Sequence, residues 1–277
     1  MMSKTANSIS LLTVTLCLVM AFAATPAIAA KCGHNAKGFN KWLVQFKKEA
    51  RRKGISKKTL RRTLRKTRYN RAVIKKDRAQ KKHFTKTTFA SFYKKRVSTG
   101  GIKKGRQMKR RHGKLLRRVE KKFGVQKEII VAIWSLESFF GQYTGNFSVF
   151  QTLPTLAYDC RRTKLFTANL MSALRIVQRG DMSAKRMKGG LFGEIGQTQF
   201  MPKSYRKYAV DFDGNGRADL IRSKADVLAS TANLLRRNGW KRGGCYKSGC
   251  HNFRVLNAWN ESTNYQRTIS RLAGRLR

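Results

Sequence analysis

Between Ile129 and Phe140 the chain reads Ile-Ile-Val-Ala-Ile-Trp-Ser-Leu-Glu-Ser-Phe-Phe, a stretch that is apolar nearly all round a helical wheel. A helix of that kind is buried inside a domain rather than laid on its surface. Glu137 is its one charge, and Gly141, just beyond, is a signal for the helix C-terminus. Burying an isolated carboxylate is costly, so folding alone gives no reason for a Glu there. Desolvation raises the pKa of such a group, and a carboxyl that keeps its proton near neutral pH can donate it to a leaving oxygen. Glu137 is therefore a candidate general acid. The structural alternative is a buried Glu that pairs with an arginine.

The rest of the chain is dominated by charge. It carries 62 Lys and Arg against 13 Asp and Glu, a net +49 over 277 residues, yet 41% of its residues are hydrophobic, including 16 Phe, 8 Tyr and 4 Trp. A disordered basic tail lacks that apolar content, so the chain folds. Only 3 Pro, with long amphipathic stretches, point to a mainly α protein. The charge selects anionic partners without choosing among nucleic acid, a membrane surface or an acidic polymer. Between Lys31 and Val119 the only acids are Glu49 and Asp77, whereas ten lie between Glu120 and Asp226. Carboxylate chemistry belongs to that second region. In the first, Phe39, Trp42, Leu43 and Phe46, and again Phe84, Phe89, Phe92 and Tyr93, have helical spacing and read as core-facing. Arg61-Arg62 and Lys109 to Arg111 read as solvated helix faces, and Gly100-Gly101 as a hinge.

Lys4 precedes an apolar run from Ile9 to Ala24, and Ala27 and Ala29 then fit the small-residue rule for signal-peptide cleavage. The run is shorter than the roughly 20 residues that span a bilayer. Residues 1–29 are thus expected to be a signal peptide that delivers a soluble protein to the periplasm, an oxidising space. Export argues against a nucleic-acid partner. The remaining cysteines, Cys32, Cys160, Cys245 and Cys250, allow three pairings. The short Cys245 to Cys250 interval could close on itself and leave Cys32 for Cys160. Zinc, helped by His34 and His251, is the rival reading, but the spacing matches no ordinary zinc motif.

Several segments in one order carry a resemblance: Ile129 to Gly141, Leu153 to Tyr158, Gly193 to Pro202 (Gly-Glu-Ile-Gly-Gln-Thr-Gln-Phe-Met-Pro), Tyr205 to Asp211, and Asn238-Gly-Trp240. From Val125 to Trp240 the chain resembles the B-type lytic murein transglycosylases, a soluble lytic transglycosylase family. The resemblance implies a lysozyme-like helical catalytic domain over 116–277, with a basic helical N-terminal region, 30–115, packed against it. It implies that Glu137 is the sole acid/base, cleaving the MurNAc–GlcNAc β-1,4 bond of peptidoglycan glycan strands and leaving 1,6-anhydro-MurNAc ends, with no cofactor in the chemistry. Two carboxylates are the usual glycosidase requirement. Here the substrate's own C6 hydroxyl supplies the nucleophile, so one can suffice. By the same resemblance Gln199 and Tyr265 should contact sugars, Asn260 should support the cleft near Glu137, Tyr93 should reach in from the N-terminal region, and Arg161 and Arg162 should meet the acidic peptide or lactyl group. Three positions depart from the pattern: Gly190 stands where many members have a Ser that orients the acid, and Leu234 and Trp259 where tyrosines occur. A lysozyme-type hydrolase and a non-catalytic murein-binding protein are the rival readings. A monomer is expected, with peripheral contact to anionic membrane surfaces through its charge.

Asp211-Phe-Asp213-Gly-Asn215-Gly-Arg217-Ala-Asp219 places oxygen ligands at positions 1, 3, 5 and 9 of a loop like that of an EF-hand, with the carbonyl of Arg217 at position 7. Arg222 takes the place of the closing Glu at position 12, and the resemblance offers Asp226 as the ligand that closes the 211–226 loop. A structural Ca²⁺, or Na⁺, is expected there. The alternative is a polar turn whose Asp side chains cap its own backbone.

Overall fold

A computed structural model of the protein describes residues 31–83 and 87–277; the expected signal peptide and Phe84 lie outside the described residues. Among these, thirteen α-helices are joined by short loops, with one two-stranded antiparallel ribbon pairing β1 (Phe147–Ser148) with β2 (Lys188–Gly189). The mainly α class expected from composition is what forms. Helix starts follow local chemistry. Ser56, Thr88, Ser98, Ser223 and Ser262 each accept a hydrogen bond from the backbone N–H three residues on, opening α2 (Lys57–Leu64), α4 (Phe89–Arg96), α5 (Thr99–Arg111), α11 (Lys224–Arg237) and α13 (Thr263–Arg275). Each such cap is worth about 1 kcal/mol.

The apolar stretch forms α7 (Lys127–Ser138), and Ile129 through Trp134 are 0% exposed. It packs against α5, α6 (Gly113–Phe123), α11 and α13. Each buried Ile or Val side chain contributes about 1.5–3 kcal/mol of transfer free energy, so this helix anchors the fold. It ends before Gly141. Phe139 and Phe140 already have positive φ, 48° and 64°, an arrangement that costs about 1–3 kcal/mol per non-glycine residue. Ser138 helps to hold the bend: its hydroxyl donates to the Gln197 carbonyl and accepts from the Gly141 N–H at 2.9 Å.

α1 (Phe39–Arg52) and α3 (Arg71–His83) pack on α8 (Val149–Tyr158), and α2 packs on α9 (Thr163–Arg179). α10 (Pro202–Tyr208) lies on α9 and α11, and the short α12 (His251–Val255) precedes α13. One continuous buried cluster runs from Phe39 to Leu276. The 115/116 division drawn from sequence falls inside α6, and Gly100-Gly101 forms no hinge because Ser98 caps a helix that contains both.

Disulfides join Cys32 to Cys160 and Cys245 to Cys250, which commits all four thiols and overturns the zinc reading. The first closes a span of 128 residues, worth about 5 kcal/mol in a chain-entropy account. Beside it the Gly33 N–H donates to the Tyr158 carbonyl at 3.0 Å. A Cβ at position 33 would lie 2.1 Å from the Tyr158 hydroxyl, so the approach requires glycine. Among the described residues, no helix is long and apolar enough to cross a membrane.

Candidate active site

Glu137 sits on the last turn of α7 and opens into a cavity of about 450 Å³. Phe92 and Arg96 of α4 line one part, Glu194 and Gln199 of the β2–α10 loop another, and Trp259, Asn260 and Tyr265 a third. The expected cleft residues Gln199, Asn260 and Tyr265 therefore converge on Glu137, as do the departures Leu234 and Trp259.

Two donors grip one oxygen of the acid. The Trp259 indole N–H donates to Glu137 Oε1 at 2.8 Å, and the Tyr265 hydroxyl donates to the same Oε1 at 2.7 Å. Indole N–H is a donor only, and burial, with the nearby Glu137 charge, holds the Tyr265 hydroxyl well above its ordinary pKa of 10. With Oε1 receiving both bonds, a proton on Glu137 resides on Oε2. Burial pushes the Glu137 pKa up to about 7, against the two hydrogen bonds and the Arg96 charge, which favour the ionised form; the Glu194 charge adds to the rise. Arg96 lies over the Phe92 ring at 4.7 Å and the Tyr265 ring at 5.4 Å, which ties α4 to α13 across the cavity.

Gln199 is fixed by donating from Nε2 to the Gly196 carbonyl at 2.8 Å and the Thr144 carbonyl at 3.0 Å, on a backbone with φ of 52°. Asn260 accepts from the Ser262 N–H at 2.9 Å through Oδ1, ahead of the α13 cap.

Three expected contacts are placed elsewhere. Tyr93 is not among the cavity-lining residues. Its ring is tilted against that of Phe89, with centroids 5.9 Å apart, and Arg271 lies 4.8 Å above it. Phe92 and Arg96 are four apart and share the cavity face of α4, while Phe89 and Tyr93, also four apart, share the next face. Arg161 and Arg162 both form ion pairs with the carboxylate of Asp77, which is 2% exposed. Neighbouring Asp159 pairs with Arg78 at 2.7 Å. These arginines balance buried acids that join α3 to the start of α9, and neither lines the cavity.

Two lining residues carry no role in the sequence reading: Glu194, a carboxylate that single-acid chemistry does not need, and Arg96. The same-face spacing of Phe92 and Arg96 was a signal for the second. Glu194 stands in the Gly193 to Pro202 segment that carries the resemblance, but nothing in that segment shows that it faces Glu137, 57 positions upstream.

In the acidic loop, Asp211, Asp213 and Asp226 hold carboxylate oxygens within 4.8 Å of one another. Asp226 is 0% exposed and accepts from the backbone N–H groups of Phe212 at 2.7 Å and Asp219 at 2.8 Å. Asp211 accepts from Gly214 and Gly216. Asn215 Oδ1 accepts from the Arg217 N–H, and Asp219 pairs with Arg186 at 3.1 Å, outside the three-carboxylate group. The three converging carboxylates suit a hard cation, and the same groups cap the loop's own backbone.

A family model described as the transglycosylase SLT domain matches residues 38–249. Membrane-bound lytic murein transglycosylase B of Escherichia coli K12 is 31% identical over 153 residues, 55% of this chain and 42% of that protein, so the match spans less than half of that relative's length. The structure of SltB3 from Pseudomonas aeruginosa, in complex with NAG-anhNAM-pentapeptide, matches with a TM-score of 0.79 at 28% identity, covering 86% of this chain and 79% of that one. The Escherichia coli lytic transglycosylase Slt35, in complex with calcium, shares the fold with a TM-score of 0.73 at 21% identity, covering 90% of this chain and 96% of that one. With its helical core, its cavity around one enclosed glutamate and a family match over most of its length, the chain belongs to the transglycosylase SLT domain family.

Proposed function

We propose that the protein is a lytic transglycosylase that cleaves the MurNAc–GlcNAc β-1,4 bond of peptidoglycan, with Glu137 as its acid and then its base. The observation that carries this reading is the pair of donors on Oε1, which leaves a protonated Oε2 for the substrate at near-neutral pH. In the first step Oε2 gives its proton to the glycosidic oxygen as the C1–O bond breaks, and positive charge develops on the sugar ring. The Glu137 carboxylate then takes the proton of the C6 hydroxyl while O6 bonds to C1, closing the 1,6-anhydro ring and restoring the acid. The C6 hydroxyl is held on the reacting ring itself, and such intramolecular reactions reach effective molarities of about 10⁵–10⁸ M.

Gln199, Asn260 and Tyr265 are the polar groups we assign to substrate positioning, with Phe92 and Arg96 in the role expected of Tyr93. Asp211, Asp213 and Asp226 would hold Ca²⁺ or Na⁺, which would brace the loop between α10 and α11 and take no part in the chemistry. The basic surface would hold an exported, periplasmic monomer against anionic murein and membrane surfaces, an attraction that salt weakens.

A lysozyme-type hydrolase is favoured by one observation, the second carboxyl group of Glu194 in the same cavity. Mass spectrometry of digested murein separates the readings. Anhydro-MurNAc ends support the transglycosylase, and reducing ends support the hydrolase.

A further inference from the structure

Glu194 has no role in the chemistry above, yet its side chain lines the Glu137 cavity from an element far away in sequence. Its placement is specific. Glu194 Oε2 accepts the Phe192 N–H at 3.0 Å, and the loop is tied back by the Gly190 N–H donating to the Glu194 carbonyl at 2.9 Å. The carboxyl group fills the space above Gly190: a Cβ built there would lie 2.3 Å from Glu194 Oε2 and 2.9 Å from Gln199 Oε1. A side chain at 190 would displace the Glu194 carboxyl group from this position, so the glycine leaves the room that the carboxyl group occupies.

The two carboxyl groups have different surroundings. Glu137 receives two neutral side-chain donors on a single oxygen within an apolar helix end. Glu194 receives backbone N–H groups, and Arg162 contributes a favourable field from the start of α9. Burial is the largest influence on both groups and raises both; at Glu194 the partial offset comes from backbone N–H groups and the Arg162 guanidinium, at Glu137 from Trp259, Tyr265 and Arg96. When two interacting carboxyls are set apart in this way, the better-stabilised one carries the charge and the other keeps the proton.

We propose that Glu194 is a positioning residue for the proposed reaction, a fixed negative charge that keeps the proton on Glu137 in the working pH range. The inference rests on Glu137 being the acid. The other groups facing Glu137 are Arg96 from α4, which pulls toward ionisation, and the neutral donors Trp259 and Tyr265. Glu194 opposes that pull.

The test is the pH profile of murein digestion for the mature protein and two variants. Glu194→Gln keeps an acceptor for the Phe192 N–H and removes the charge. Activity needs protonated Glu137 and falls as pH rises through its pKa, so removing the neighbouring anion should move this alkaline limb about one unit lower. Activity at pH 5 should stay within about twofold of wild type, while activity at pH 7.5 should fall about tenfold. Glu194→Asp should return the limb toward its original position. A loss of the same factor at every pH would assign Glu194 a merely structural role and overturn the proposal. So would an unmoved limb, or a loss as complete as that of Glu137→Gln, which would make Glu194 a base. Gly190→Ser alone should damage the cavity through the clash, and Gly190→Ser with Glu194→Ala should relieve it; equal activity of Gly190→Ser and wild type would contradict the placement. Product ends are read in parallel: reducing ends from the wild type would refute the transglycosylase reading, whether or not the limb moves.

Discussion

The cavity around Glu137 and the loop from Asp211 to Asp226 both gather carboxyl groups in a protein with few of them, and they treat those groups in opposite ways. In the loop, Asp226 has no exposed surface, but backbone N–H groups meet both of its oxygens, and Asp211 is similarly supplied. In the cavity, Glu137 has two donors crowded on one oxygen and, among the described residues, none on the other. A saturated carboxylate organises backbone, whereas a half-satisfied one holds a proton that can be used. The residue type is nearly the same, and the supply of donors separates structure from chemistry.

That contrast can be broken by mutation, and the largest effect should be on activity. Glu137→Gln keeps an acceptor for Trp259 and Tyr265 but cannot transfer a proton, and should lower murein digestion by about 10³-fold. The same variant should be more stable than wild type at pH 8. A carboxyl whose pKa is raised on folding contributes stability below its unfolded value of 4.5 that is lost as pH rises through about 7. That loss is about 3 kcal/mol for a shift of this size. Chemical denaturation at pH 8 should therefore favour the variant, and the two proteins should converge near pH 4.5. In the loop burial also raises the Asp226 pKa, with backbone N–H groups offsetting part of the rise, and hydrogen bonding decides the outcome of substitution. Asp226→Asn should destabilise by about 1–3 kcal/mol at pH 7, because the amide cannot accept all of the backbone N–H groups. Added Ca²⁺ should raise the melting temperature of wild type and not of this variant. The smallest effect is expected from Trp259→Phe. Losing a donor that favours the ionised form should raise the Glu137 pKa, moving the alkaline limb of activity upward by a fraction of a unit while the rate falls severalfold.

The buried helix and its acid could be read from the sequence because both are local: an all-round apolar run needs no partner to announce burial, and one charge within it stands out. Loop spacing was readable for the same reason, since Asp211 and Asp213 lie close along the chain. The segment of Glu194 stands out in the sequence, but its proximity to Glu137 does not, because only the folded β2–α10 loop brings the two together. The ion pairs of Arg161 and Arg162 with Asp77 are not legible in the sequence, because 84 and 85 positions separate the partners and only the packing of α3 on the start of α9 joins them. Tyr93 was one position off the face that matters, a rotation of about 100° on a helix. A glycine pair reads as a hinge in sequence, but Ser98 caps a helix that contains both Gly100 and Gly101.

The central claim is that Glu137 keeps its proton in the neutral range. The direct measurement is the carboxyl carbon-13 NMR titration of the six glutamates in labelled protein, wild type beside Glu137→Gln. One resonance should titrate near pH 7 and be missing from the variant. If the resonance lost in the variant titrates below about 5, in the ordinary carboxylate range, Glu137 is not the acid.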